Sequence, residues 1–286
     1  MNDSFAFVGH HSLYKKYIAP GKTARTGHAF LLVGPAHIGK STFAAEWAKA
    51  WGGLQYDAIH WPESDESLKI AEVRQLNQKL SLSHAGTIRM VRIEAIERMP
   101  IEAQNALLKT LEEPQGNTLF LLTSHQPNQV LPTIHSRCQR IEMTCPTPTE
   151  IDEFLSDQSV NELEKKLMKT YALGRIGTII TWLKNPDEWA EYRATIDQVE
   201  RWLEQNDLAH KINEVEALET NPQRLAQWID AFYGSLRQRW RQNASTRWST
   251  TELAKLFDVL EKTRYYLKSN VNKRLALVEL AIATEK

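Results

Sequence analysis

A parallel α/β sheet domain followed by wholly helical sequence is the fold class that the order of apolar segments predicts. Two observations predict it. Up to residue 145, short apolar runs alternate with segments of helical period, the pattern of strands joined by crossover helices. Pro146 and Pro148 then interrupt that pattern, and beyond them only helical periodicity remains. The length of 286 residues, at about 150 per domain, fits two domains or three small ones.

Taken in order, Ala29-Phe30-Leu31-Leu32-Val33 is a continuous apolar run that stops at Gly34-Pro35, a buried strand. Ser41 to Trp51 carries Phe43, Ala44, Trp47 and Ala48 at helical spacing, and Ile70 to Leu82 repeats Val73, Leu76 and Leu80 between charges. Ile88–Ile93 and Thr118–Thr123 are predicted strands, with a helix over Glu102–Glu112 between them. In a parallel sheet of this kind ligands gather at the carboxyl ends of the strands. The later helices are predicted over Glu150–Leu155, Val160–Tyr171, Ile176–Leu183 and Trp189–Leu203. A final helical set runs over Pro222–Trp240 and Thr251–Thr284, with Gln242-Asn243-Ala244-Ser245-Thr246 as the loop between.

Composition excludes several classes of function. Lys plus Arg and Asp plus Glu both number 35, so no global basic field exists to bind nucleic acid. A hydrophobic content of 42% and a charged content of 24% are those of an ordinary globular chain. The two cysteines, Cys138 and Cys145, cannot form a four-cysteine zinc site or a disulfide framework. None of the nine histidines forms an H-x-x-x-H or H-E-x-x-H pair. No apolar run approaches the roughly 18 residues of a membrane span. Met1-Asn2-Asp3-Ser4 does not open a secretory signal. A soluble protein of a reducing, cytoplasmic compartment is expected.

Gly34-Pro35-Ala36-His37-Ile38-Gly39-Lys40-Ser41 meets every specified position of G-x-x-x-x-G-K-[ST]. Its glycines let backbone N–H groups turn toward phosphate oxygens at the start of a helix whose dipole favours an anion. It follows a predicted strand and opens a predicted helix, as that chemistry requires. Gly34, Gly39, Lys40, Ser41 and Thr42 are therefore the expected ATP- or ADP-binding residues. Lys40 would reach the β- and γ-phosphates and the Ser41 hydroxyl would ligate Mg²⁺.

Hydrolysis needs an acid at the end of a neighbouring strand to hold Mg²⁺, and a second carboxylate to activate water. After Met90-Val91-Arg92-Ile93, Glu94 stands at the metal-holding position and Ala95 where the second carboxylate belongs. Losing a positioned base costs about 10²–10⁴ in rate. Glu97 lies two residues further into the turn, out of place to substitute. The site is expected to hold nucleotide and to cleave it poorly.

Asn105-Ala106-Leu107-Leu108-Lys109-Thr110-Leu111-Glu112-Glu113-Pro114, together with Ser136-Arg137-Cys138, resembles the bacterial DNA polymerase III clamp-loader branch of the AAA+ superfamily. Gly9-His10, His28-Ala29-Phe30 and Asn270-Val271-Asn272 followed by Leu275-Ala276-Leu277 are similar to that family too, so the resemblance spans nearly the whole chain. It implies an AAA+ P-loop domain over 1–146, a small helical lid over 147–195 and a helical, oligomerising collar over 196–286. The pattern Leu253, Leu256, Leu260, Tyr266 and Leu267 agrees with the last of these.

Within the family, gamma or tau subunits are motors with a four-cysteine zinc module, whereas delta-prime subunits are catalytically degenerate stators. The interval after Ala50-Trp51-Gly52-Gly53 holds no cysteine, and Ala95 replaces the water-activating acid, so the resemblance is to delta-prime. In the segment Gly174-Arg175-Ile176-Gly177-Thr178, Gly177 occupies the place of the family's sensor-2 arginine. At sensor 1 the polar residues are Ser124 and His125.

The resemblance further implies that Arg137 is an arginine finger inserted into a neighbour's ATP site, a role worth about 10³–10⁵ in rate. From the residues alone the favoured reading is an arginine paired to a surface carboxylate, with Glu142 an available partner. The implied partners are gamma/tau and delta subunits in a pentameric ring, with the sliding clamp and primed DNA reached through the complex. The rival readings are an active gamma/tau-type ATPase acting through Lys40, Ser41 and Glu94, and a P-loop protein whose nucleotide is purely structural.

Two further features are read from the residues. Arg237-Gln238-Arg239-Trp240-Arg241, with Arg247, is a solvated helix face in preference to a DNA-phosphate contact. The tryptophans, as in Trp202-Leu203 and Trp228-Ile229, fall at packing positions.

Overall fold

The computed structural model describes residues 8–19, 27–52, 56–61, 75, 78, 88–114, 116–242, 247–268 and 272–285. The expected helix Ile70–Leu82, apart from Gln75 and Gln78, lies outside these residues, as do positions 243–246 of the expected loop and Asn270-Val271. The chain divides into two compact units, 1–158 with 174–178, and 159–173 with 179–286.

The strands of the first unit are β1 (Ala29–Val33), β2 (Tyr56–Trp61), β3 (Ile88–Ile93), β4 (Thr118–Ser124) and β5 (Gln139–Glu142). They form a five-stranded parallel sheet in the order β2-β3-β4-β1-β5. The unit's helices are α1 (His11–Tyr17), α2 (Lys40–Gly52), α3 (Ile101–Glu112), α4 (Pro132–His135) and α5 (Pro148–Ser156). β1 lies between β4 and β5, with Leu31 opposite Leu122 on one side and Arg140 on the other. Every residue of β1 and β4 is buried, which is why β1 is a continuous apolar run and β4 carries one over Leu119–Leu122.

Alternation sorts those runs between two faces. Leu31 and Val33 pack with Phe120, Leu122 and the α3 residues Ala103, Leu107 and Leu111. Phe30 and Leu32 pack with Phe43, Ala44 and Trp47 of α2. Two strands escape the sequence reading because both lie at sheet edges, where polar residues are tolerated. β5 reads Gln-Arg-Ile-Glu and buries only Ile141, and β2 is interrupted by Asp57 and His60.

The second unit is helical throughout its described residues. Its helices are α6 (Glu162–Tyr171), α8 (Pro186–Glu204), α9 (Leu208–Leu218), α10 (Pro222–Gln242), α11 (Thr250–Lys268) and α12 (Lys273–Ala283). α7 (Ile176–Lys184) begins within residues 174–178 and continues into this unit. The expected segment Thr251–Thr284 is thus two helices, the second capped where Asn272 Oδ1 accepts from the Leu275 N–H. The unpredicted α9 starts on Asp207, whose Oδ1 accepts from the His210 N–H at 3.1 Å.

Trp202, Trp228 and Phe232 form an aromatic core with ring centroids 5.1 to 5.6 Å apart. Arg239 is bidentate to Glu200 and reaches Glu204. Arg247 donates to the Glu204 and Gln205 carbonyls at the carboxyl end of α8. Two arginines of the basic run therefore serve the helical fold itself. No helix among the described residues is long and apolar enough to cross a membrane.

Candidate nucleotide site

The carboxyl ends of β1, β4 and β3 lie side by side, and the residues that follow them build one site. Gly34 leaves β1 so close to the chain after β5 that a Cβ there would lie 2.1 Å from the Met143 carbonyl oxygen. No other residue fits. The loop then dips so that Ile38 is fully buried among Phe30, Phe43 and Met143, while His37 turns outward at φ 59°. Gly39, at φ 95°, has open space where a Cβ would stand.

The loop's carbonyls are held by the protein. Lys40 Nζ donates to Gly34 O at 2.9 Å and Pro35 O at 2.5 Å. His10 Nε2 lies 3.0 Å from Ile38 O, and the Gly177 N–H donates to His37 O at 2.6 Å. A Cβ on Gly177 would come within 2.7 Å of that same oxygen. Gly177, expected from the resemblance to stand where an arginine belongs, is pressed against the phosphate loop. Burial pushes the Lys40 ammonium down to about 8, partly offset by the negative charge of Glu97 and by Cys145. Burial likewise lowers His10 below the usual histidine value.

Ser41 Oγ donates to Glu94 Oε2 at 2.9 Å, so the two residues expected to share Mg²⁺ meet at the first turn of α2. Thr42 is exposed on that turn. The hydroxyl, the adjacent carboxylate, the loop lysine and the open space at Gly39 together fit a metal-bound nucleotide.

Glu97 departs most from the sequence reading. Ala95 adopts a left-handed conformation, φ 49° and ψ 55°, with its N–H donated to Thr123 Oγ1 at 3.0 Å. A single 3₁₀ turn, Ile96–Arg98, follows and folds the chain back on itself. Glu97 is thereby 8% exposed, and its Oε1 accepts from the His125 N–H at 3.1 Å and from the His125 ring. Its Oε2 is buried without a hydrogen-bond partner. Ser124 is fully buried, its Oγ accepting from the Gln126 N–H at 3.2 Å.

Arg137 sits beyond the short helix α4, half-buried. Its Nε donates to Glu112 Oε1 at 2.7 Å, Nη2 reaches the same oxygen, and Nη1 donates to Thr133 O at 2.9 Å. The expected partner Glu142 instead pairs with Arg140 at 2.6 Å, because both project from the same face of β5. Glu112 comes from the Leu111-Glu112-Glu113-Pro114 segment, so the two motifs that carry the family resemblance touch. Cys138 is 8% exposed, and burial pushes its thiol up to about 12, the state of an inert core cysteine.

Residues 51–147 match the family model of the DNA polymerase III delta subunit. A DNA polymerase III delta-prime subunit of Pseudomonas aeruginosa is 36% identical over 152 residues, covering 45% of this chain and 46% of that protein. The delta-prime subunit of Bacillus subtilis is 28% identical over 63% of this chain and 61% of its own length. The alignments thus span about half the length of these curated relatives. The crystal structure of a DNA polymerase III gamma subunit-related protein from Thermotoga maritima superposes with a TM-score of 0.53 at 18% identity. That match covers 91% of this chain and 95% of the other, a likeness of fold. By sequence the chain is related to DNA polymerase III delta-prime subunits, and its parallel sheet and helical remainder are those of the AAA+ fold.

Proposed function

We propose that this relative of the DNA polymerase III delta-prime subunits is a clamp-loader stator that holds nucleotide and hydrolyses it little or not at all. In this reading it supplies Arg137 to a neighbouring ATPase. One observation carries it: where a motor needs a carboxylate aimed at water, the chain has a methyl group on a left-handed residue, Ala95. The contacts of Lys40 with the loop and of Ser41 with Glu94 support a nucleotide-holding reading. Bound magnesium would neutralise phosphate charge, with Ser41 and Glu94 as its protein contacts.

Arg137 is suited to act outside its own chain. Its side chain is 28% exposed, and its ion pair with Glu112 is a surface pair worth about 0–1 kcal/mol, so exchanging that carboxylate for a neighbour's phosphate costs little. The neighbours in this reading are gamma/tau and delta subunits of a pentameric ring that acts on the sliding clamp at primed DNA. Residues 1–146 would be the nucleotide domain, 147–195 the lid and 196–286 the collar.

The test is ATP turnover in a complex reconstituted with and without Arg137→Ala. Loss of about 10³-fold or more in the neighbour's rate, with assembly intact, is expected of a finger. A complex that turns over ATP as before would sink that role. Strong Lys40-dependent turnover by the isolated chain would replace the stator with a gamma/tau-type motor.

A further inference from the structure

We infer that Glu97 is a residue of the nucleotide site, the carboxylate that makes the site select magnesium-bound over metal-free nucleotide. The inference rests on the nucleotide-holding reading of the loop, and four observations carry it.

First, Glu97 is buried and its Oε2 has no hydrogen-bond partner, whereas buried polar atoms are nearly always paired. Second, its other oxygen is doubly held by the backbone N–H and the ring of His125, which fixes the carboxylate's orientation. With Nδ1 turned to Glu97, the His125 Nε2 lies 3.1 Å from Gln126 Nε2, so the ring is held at its far side too. Third, hydrogen bonds hold Glu97 beside the loop: His125, which fixes the carboxylate, follows Ser124, whose carbonyl accepts from the Gly34 N–H at 3.2 Å. Fourth, the backbone is strained to put the carboxylate there. A left-handed alanine costs about 1–2 kcal/mol, and the 3₁₀ turn it starts is what buries position 97.

Charge decides what such a carboxylate does. Lys40 is one positive charge in a site that already holds the Glu94 carboxylate against Ser41, and Glu97 adds a second carboxylate. A metal-free triphosphate entering this buried corner brings several negative charges against them, and burial magnifies the repulsion. A magnesium complex enters with less negative charge, and its coordinated waters carry O–H donors that suit an oriented oxygen lacking a partner. Glu94 and Ser41 already contact each other on one side of the site. Glu97 supplies a second carboxylate without standing where a water-activating group stands in a motor. That combination holds a metal-bound nucleotide in place rather than cleaving it.

The experiment measures ATP affinity of the full chain by calorimetry, once with excess Mg²⁺ and once with EDTA, for wild type, Glu97→Gln and Lys40→Ala. The Glu97→Gln substitution keeps the side chain's shape and an acceptor for His125 while removing the charge. Expected is a fall of at least about fivefold in the ratio of the EDTA to the Mg²⁺ dissociation constant, driven by tighter metal-free binding. Glu97→Ser gives the same reading if Glu97→Gln melts below the assay temperature. An unchanged or enlarged ratio in the variant that folds overturns the inference. Should Lys40→Ala bind ATP as well as wild type in both buffers, the nucleotide-holding reading itself fails, whatever Glu97 does.

Discussion

Gly177→Ala is the perturbation that most directly probes how the phosphate loop is held. The added Cβ would lie 2.7 Å from His37 O, 3.2 Å from its carbonyl carbon and 3.3 Å from its Cα. The first distance is about 0.7 Å short of ordinary contact, and all three atoms are backbone, so no side chain can swing aside. The start of α7 must move off the loop, and the 2.6 Å hydrogen bond from the Gly177 N–H to His37 O is then lost. Overpacking costs about 1–3 kcal/mol and a lost hydrogen bond about 1 kcal/mol, so destabilisation of about 2–4 kcal/mol is expected. Urea unfolding measures the total. Amide exchange at position 177 measures the bond itself and should quicken, while amides of β4 keep their protection in native conditions. A stability change under about 0.5 kcal/mol, with unaltered exchange at that amide, would refute the reasoning. Gly177→Arg should do no better, because its Cβ meets the same backbone.

Two other outcomes follow from the helical unit. Gly234→Ala gains about 1 kcal/mol of helix propensity, but its Cβ would lie 2.6 Å from Tyr171 Cδ1. The Tyr171 hydroxyl is held by Ser235 and Glu200, so the ring cannot retreat, and a net loss of about 1–2 kcal/mol in urea unfolding is expected. In a Tyr171→Ala background the same change should turn stabilising. Lys211 is buried beneath Trp202, with its Nζ 3.3 Å from Thr284 Oγ1, and burial lowers its pKa from 10.5. A base whose folded pKa lies below its unfolded one subtracts from stability below the folded value, and that penalty fades as pH rises toward 10.5. Unfolding free energy should therefore climb with pH across that window, more steeply in wild type than in Lys211→Met. Parallel pH profiles for the two proteins would contradict this.

Much of the chemistry was legible in the linear sequence because it is local. Consecutive residues from Gly34 to Ser41 state the phosphate loop, and the buried strand before it and the helix after it are continuous in sequence. The expectation that Glu94 holds a metal follows from counting along β3, since a strand advances regularly. Buried strands such as β1 and β4 announce themselves by apolar runs, while the edge strand β5 buries one residue of four and does not.

Tertiary structure decided what counting could not. Counting assumes a regular backbone, and the left-handed turn at Ala95 breaks that assumption, burying Glu97 against the His125 N–H at the end of β4. The choice of Glu112 over Glu142 as the partner of Arg137 depends on which side of β5 Glu142 faces and where α3 ends. Gly177 is required by the carbonyl of His37, far earlier in the chain. Sequence by itself determined the groups this protein can offer to a nucleotide and to a neighbour. The fold decided which of them meet, because contact between distant residues depends on backbone geometry and packing that no local spacing records.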